Sequence, residues 1–466
     1  MQKETIVGYL PDEKPSLGKA IVFALQQFLV MLPATVLAAI IMNGFGMELY
    51  SIPAAILASG VATISFLLIT GFKIPLYYGS SFSYIGAVAI VVTYGVSNSQ
   101  SSASVLGSVL IASVISGLMS IGAGLLIKYF GKDKIDKVLP GHITGMIAMI
   151  IGLSLASNVM GGILNVGSNG VDWLSVLIAV VTFLTIAVLT IILKKGFISQ
   201  VPILIGLIVG VILSYLIWVP SQGSTWSFSN FGSYFDGIAS TQTVGLLDVM
   251  PWITIPAAFN APNLIGIAVI AIFPIAFATI PESAAHVNQI DLYVNNLSKE
   301  KGGKDYMIRN MLDLNLVGDG VGDIVAVMLG GPAGTNYGEN VSASAVTKNF
   351  SSYVFLITGV LAIVVGILLE VLNIGNLSLI LTNPVVQGVS LYLFGAIAVQ
   401  GIALMIDKKV DIFNPKIIAV MAFIGIVGLG VSSINITAEF VLPGLGVAAI
   451  GGILLNLLLN ALPTIE

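Results

Sequence analysis

The chain has 466 residues, of which 57% are hydrophobic and 9% charged, and a formal net charge of −4 at neutral pH. A soluble globular domain carries about 25% charged residues, so this chain has too little charge to cover a water-facing surface, and it lacks the basic patch that nucleic acid requires. With no cysteine, disulfides and thiolate metal sites are excluded, and with only two distant histidines no nucleophile–base pair or metal cluster is seen in the sequence, so no enzyme, metal or cofactor is expected.

Apolar stretches of roughly 20 residues, enough to cross a bilayer core, recur along the whole sequence. They predict an all-α polytopic membrane protein, a single transmembrane domain over 1–466. Its spans lie near 17–42, 53–71, 82–97, 104–127, 139–159, 173–193, 201–218, 262–283, 309–330, 340–348, 352–372, 378–406, 415–432 and 441–461, fourteen segments in all. The first follows a polar leader and is too long for a signal-peptide core, so it is read as a retained span. Within it Gln26 and Gln27 are amides among apolar residues, suited either to bonding between helices or to reaching a site.

The third segment follows Tyr78-Gly79-Ser80-Ser81 and the tenth follows Tyr337-Gly338-Glu339-Asn340, 259 residues later. Both are short and rich in Ser, Gly and Ala. Irregular backbone at membrane depth survives only beside protein or water, so each is expected to cross only partway. Each stands third in its half of the segment list. Seven spans per half would make the halves, about 17–218 and about 262–461, inverted repeats whose broken segments meet near the midplane. On this alignment Ser81 and Phe82 take the places of Asn340 and Val341.

Lys and Arg in short loops stay cytoplasmic. With the N-terminus inside and fourteen crossings, Lys3, Lys14, Lys19, Lys73, Lys128, Lys132, Lys134, Lys137, Lys194 and Lys195 fall inside. Lys299, Lys301, Lys304, Arg309, Lys348, Lys408, Lys409 and Lys416 do too, which accounts for all 18 basic residues. Both termini are therefore expected in the cytoplasm. The stretch from Pro220 to Ala261, with Asp236 and Asp248 as its charges, is expected over the outer face. His142, at the start of the fifth span, reads as an interface residue.

A charge inside the hydrocarbon costs roughly 2.5 to 3.5 kcal/mol, so each one marks a candidate site. Glu282, in Pro281-Glu282-Ser283-Ala284-Ala285-His286 near the end of the eighth span, shares a helical face with His286 four residues on. The pair can take up and release a proton near neutral pH. The competing reading is a helix-end carboxylate snorkelling to the cytoplasmic interface. In the ninth span Asp319 and Asp323, four residues apart with Asp313 before them, are either ion ligands or acids facing a polar interior or capping a helix. Glu339 is a second candidate acid, against the alternative of a surface acid in an outside loop, and the broken segments offer helix-end amides to carbonyl oxygens. A ring such as Phe82 can stack on a flat ligand.

At Asn336-Tyr337-Gly338-Glu339-Asn340, with Pro281 to His286 before it, the chain resembles the uracil-carrying members of the nucleobase–ascorbate transporter family, also called nucleobase:cation symporter 2. The likeness covers nearly the whole chain and includes Asp12-Glu13-Lys14-Pro15, Gln26, Gly79-Ser80-Ser81-Phe82, Val138-Leu139-Pro140 and Gly318-Asp319-Gly320 in order. It implies a fourteen-segment fold with interleaved core and gate subdomains and short strands in the third and tenth segments. It also implies a proton-coupled symporter importing uracil across the cell membrane. Glu282 and Glu339 would accept from the ring N–H groups, amides around Phe82, Gly338 and Glu339 would meet the carbonyls, and Tyr337 and Ser81 would complete the substrate site. His286 would assist Glu282 in proton coupling, in which Glu339 shares; Gln27 and Asn340 are further candidates, and the likeness leaves dimerisation open. The chain departs from the family at Gln27, where a His is usual, at Lys348, where an Arg is common, and at Phe394, where some members carry Tyr. Rival readings are a xanthine or other purine symporter, which usually carries a Gln-Asn block at that point, and an anion transporter of the sulfate-permease type.

Overall fold

The computed structural model describes residues 8–131, 140–154, 156–164, 170–193, 201–218, 244–372, 381–431, 433–435 and 441–462. Lys3, Lys132, Lys134, Lys137, Lys194, Lys195, Val138, Leu139, Asp236 and most of the 220–261 stretch lie outside the described residues.

Each expected apolar segment meets a helix. Helices α1 (Leu17–Asn43) and α2 (Ile52–Ile69) lead to a three-residue strand, β1 (Tyr78–Ser80). A 3-10 turn, Phe82–Tyr84, then opens α3 (Ile85–Ser97). Next come α4 (Ser102–Phe130), α5 (Gly141–Ser154), α6 (Ala156–Leu164), α7 (Trp173–Ile192) and α8 (Pro202–Leu213). A short α9 (Pro251–Ala258) packs on α4, and α10 (Pro262–Ile272) runs through one 3-10 turn into α11 (Ala276–Glu300). After α12 (Leu312–Met328), strand β2 (Gly334–Asn336) precedes α13 (Gly338–Thr347) and α14 (Ser352–Val371). The chain closes with α15 (Asn383–Asp407), α16 (Pro415–Gly430), a hairpin of β3 (Ser433–Asn435) and β4 (Val441–Pro443), and α17 (Gly444–Ala461).

Among the described residues nine helical stretches are long and apolar enough to cross a membrane, and three shorter apolar ones join them. The chain is a multi-pass α-helical membrane protein. Local chemistry sets several helix starts: Ser51, Ser101, Asp172 and Asn414 each accept from a first-turn amide that has no partner inside the helix.

Packing divides the helices into two bundles. One gathers α1–α4 with α10–α14, and the other gathers α5–α8 with α15–α17. Contacts obey an exchange rule: α4 packs on α12 as α14 packs on α2, α7 on α15 as α16 on α5, and α1 on α14 as α10 on α4. That pairing is the signature of two repeats related by a two-fold axis, and the inverted-repeat fold expected from the segment count is the one observed.

The leader folds back over one end of the first bundle. Lys301 Nζ lies 2.6 Å from Glu13, Tyr9 N–H donates to Lys348 O at 2.8 Å, and Phe350 N–H donates to Tyr9 O at 2.8 Å. The eighth segment differs from expectation in length: a 39-residue helical rod runs from Pro262 to Glu300, so Glu282 sits in its middle and not near its end. Polar residues after Ile280 look like a loop in composition, yet they continue the helix because its other face still packs Val287, Ile290 and Val294 in the core. His142 stands in the first turn of α5. It is buried, with Nε2 3.1 Å from Oδ1 of Asn456 on α17.

Candidate functional site

Two three-residue strands fix the site. β1 and β2 pair antiparallel, Tyr78 opposite Asn336, Gly79 opposite Thr335 and Ser80 opposite Gly334. Bonds from Ser81 N–H to Ala333 O (3.0 Å) and from Tyr337 N–H to Tyr77 O (2.9 Å) extend the ladder by one rung at each end. Buried backbone groups outside the ladder need other partners. Thr63 Oγ1 on α2 accepts from Tyr78 N–H and donates to Tyr78 O, both at 3.0 Å. On the other edge Oδ1 of Asp323 accepts from the Tyr78 hydroxyl at 2.6 Å and from Gly334 N–H at 2.8 Å. Gly79 is needed because a Cβ there would lie 2.5 Å from the Tyr337 ring.

This register corrects the alignment of the two broken segments. Tyr78 opens β1 and Gly334 opens β2, so the structural counterparts of Ser81 and Phe82 are Tyr337 and Gly338, three residues short of Asn340 and Val341. The shared Tyr-Gly pair is a coincidence of composition: Tyr78 is a strand residue, whereas Tyr337 is the residue before a helix.

Beyond the strands both segments turn into helix at the rim of one cavity of about 500 Å³ between the bundles. Glu282 and His286 from α11, Ser81, Phe82 and Ser83 from the first broken segment, and Tyr337, Gly338 and Glu339 from the second all line it. From the other bundle come Tyr392, Leu393 and Gln400 of α15. Both acids are half-buried. No Lys or Arg is among the described lining residues. The residue before α13, Tyr337, supplies no side-chain cap, so the first-turn amides of that helix stand without one beside Glu339. The His286 ring packs against this turn, where a Cβ on Gly338 would lie 2.9 Å from its Nε2, and that same Nε2 is 3.4 Å from Gln400 Nε2. Phe82 meets Phe394 edge to face, ring centroids 5.6 Å apart. Phe394 also lines a second cavity, with Ile41, Asn383 and Gln387, so the pair stands between two spaces.

Several expected residues also bond within the protein. The Tyr337 ring is buried, with its hydroxyl donating to Ser80 O and 3.0 Å from Thr35 Oγ1, so its side chain seats the strands. Ser81 accepts from Ser83 N–H and caps the 3-10 turn. Gln27 and Asn340 lie behind the cavity wall: Asn340 Nδ2 donates to Gln27 O and Oε1, and Gln27 Nε2 donates to Ser344. Gln26 is buried with its Nε2 unpartnered. Asp319 accepts from Ser283, Asn315 and Asn336, which links the residue after Glu282 to the strand before Glu339. Asp319 and Asp323 thus hold protein donors, and among the described residues no group of three or more His, Cys, Asp or Glu is arranged to hold a metal. Two further amides that line the cavity, Gln289 and Gln400, were not expected from the sequence. Gln289 follows His286 by three residues and Glu282 by seven, one helical face, so periodicity pointed to it; Gln400 is a lone amide in an apolar run, the signal that marked Gln26.

Comparison with known proteins agrees with this architecture. A model of xanthine/uracil permeases, described as a permease family, matches residues 18–435. The uracil permease of Bacillus subtilis (strain 168) is 30% identical over 446 residues, covering 94% of this chain and 92% of that protein. The uracil permease of Bacillus caldolyticus is 29% identical over 457 residues, 97% of this chain and 94% of that protein. In fold, the transmembrane domain of a cyanobacterial bicarbonate transporter, BicA, matches with a TM-score of 0.59 at 14% identity over 95% of this chain and 98% of that one. SLC26A9 matches with a TM-score of 0.64 at 11% identity over 96% of this chain and 66% of that one. With the family match spanning most of its length and a cavity built at the segments that carry its Tyr-Gly-Glu-Asn block, the chain belongs to this permease family, the nucleobase–ascorbate transporters.

Proposed function

We propose that the protein imports uracil together with a proton across the cell membrane, with both termini in the cytoplasm. The observation that carries this reading is that Glu282 and Glu339, from separate helices, line one cavity with the uncapped first turn of α13. Uracil presents two N–H donors and two C=O acceptors. Carboxylates accept and helix-end amides donate, so this donor–acceptor set complements the base without a cation. Phe82 offers a flat face beside it. His286, one turn from Glu282, supplies a second group able to exchange a proton. The named activity of the uracil permeases that the chain resembles supports the same assignment.

In this reading the bundle of α1–α4 and α10–α14 is the core that carries substrate, and the bundle of α5–α8 and α15–α17 is the gate. The ladder between β1 and β2 holds the site rigid while the bundles exchange its access. Lys14, Lys73 and Lys304 gather around one pocket at the end where the leader docks, which suits a cytoplasmic face. A purine symporter is a weaker reading because position 339 carries an acid. An anion transporter is weaker still, since two carboxyls and no cation line the cavity.

Uptake of labelled uracil into permease-deficient cells, with and without a protonophore, tests the proposal alongside Glu282→Gln and Glu339→Gln. Saturable, protonophore-sensitive uptake that falls in both variants is expected. Parent-like uptake by both variants would remove the acids from the site, and uptake indifferent to the protonophore would remove the proton.

A further inference from the structure

Among the described residues, one hydrogen bond joins the two bundles: Gln400 of α15 to His286 of α11, at 3.4 Å between side-chain nitrogens. Its setting is unusual on both sides. His286 is buried and its Nδ1 has no hydrogen bond; the ring's polar neighbours are the Asn336 backbone within its own bundle and the Gln400 amide from the other. On the α13 side the ring lies against Gly338, where a Cβ would come within 2.9 Å of Nε2. The other polar wall residues of α15 are engaged elsewhere, as with the Tyr392 hydroxyl on Thr190.

We infer that Gln400 is a positioning residue for transport, tying the gate bundle to His286 through an amide that can serve the ring in either protonation state. The chemistry follows from the two ends of an amide. When Nε2 of His286 is bare, the amide NH2 donates to it; when Nε2 carries a proton, a half-turn of the amide presents Oε1 instead. A carboxylate at 400 would serve the protonated ring alone, and an apolar side chain would serve neither. The tie therefore survives a change of proton on His286, and it must part when the bundles move. The titratable groups around the ring are Glu282 on its own helix, Glu339 on α13 and Tyr392 on α15. Asp319 on α12 lies behind, held by Ser283, Asn315 and Asn336, and His142 on α5 is turned to Asn456. All of these stay constant across substitutions at 400, so a change read at His286 is assignable to that position.

The inference rests on the reading of the cavity as the transport site, and the test separates the two. With two histidines in the chain, His142→Gln leaves His286 as the sole imidazole signal for ¹⁵N NMR of the purified full-length protein. In that background Gln400→Glu should move the His286 titration upward by about one to three pH units, as a carboxylate beside an imidazolium does. Gln400→Met, similar in length and apolar, should change the tautomer signature. In uptake assays Gln400→Glu should shift the pH dependence in the same direction, and the shift should vanish when His286 is Gln. An unchanged titration in Gln400→Glu together with an unchanged tautomer signature in Gln400→Met overturns the tie. A moved titration with an unmoved uptake profile, or a loss of uptake by the same factor at every pH, overturns the positioning role. Either failure is distinct from failure of the cavity reading, which Glu282→Gln and Glu339→Gln report on their own.

Discussion

Replacing Asp323 tests whether the ninth-segment acids build the site or bind an ion. One oxygen of Asp323 accepts the Tyr78 hydroxyl at 2.6 Å and Gly334 N–H at 2.8 Å, and both side chains are buried, at 2% and 0% exposure. Asp323→Ala strands two buried donors, each at a cost of about 1–3 kcal/mol, so a loss of about 2–6 kcal/mol is expected. Asp323→Asn keeps an acceptor oxygen in place but a weaker one, and should cost about 1–2 kcal/mol. The order parent, Asn, Ala should appear both in the thermal midpoint of the purified protein and in uracil uptake, because Gly334 begins the strand that leads to Glu339. Tyr78→Phe completes a double-mutant cycle, in which combination with Asp323→Asn should cost less than the sum of the single changes. An ion ligand would behave otherwise, with Asn as damaging to uptake as Ala and stability nearly unmoved. An unchanged midpoint for Asp323→Ala would refute the argument.

Two further outcomes are expected. Phe394→Ala removes half of the edge-to-face pair between the two cavities, so a single cysteine placed at Ser83 in this cysteine-free chain should become reachable by membrane-impermeant thiol reagents from both faces; labelling from one face alone would show that the pair is no barrier. At the leader, the Tyr306 hydroxyl donates to Asp12 and, with Lys304 adding attraction and partial burial opposing, holds the Asp12 carboxyl below the ordinary carboxylate range. A lowered folded-state value contributes stability above the unfolded value of about 4, and that contribution is lost as pH falls through the folded value. Tyr306→Phe should therefore speed hydrogen exchange at the Tyr9 and Phe350 amides near neutral pH, with the difference from the parent shrinking as pH falls below about 4; equal rates at neutral pH would count against the link.

The apolar spans were legible because their length reports directly on the bilayer. Glu282 and Glu339 were legible for a related reason, as acids where a charge is costly. What escaped depends on partners far along the chain. The offset of three residues between the broken segments could not be read from Tyr78-Gly79 and Tyr337-Gly338, since pairing and not composition sets register. The tasks of Asp319 and Asp323 follow from Asn336, Tyr78 and Gly334, which no spacing brings together. Gln400 looks like any amide in an apolar run until His286 is found beside it. Tyr337 stands in the block most specific to the site, yet its hydroxyl faces Thr35 and Ser80.

The β1–β2 ladder has a consequence for how the protein is made. When Tyr78–Ser80 leave the ribosome, the residues that satisfy their backbone, Gly334–Asn336, have not been synthesised. Unpaired backbone is costly in lipid, so the early half must wait in the bilayer with an open edge, sheltered by Thr63 on one side alone. Neither half of the chain can present the cavity by itself. The binding surface can therefore form only after the later half has been made, and any defect that delays that half exposes the earlier one to quality control.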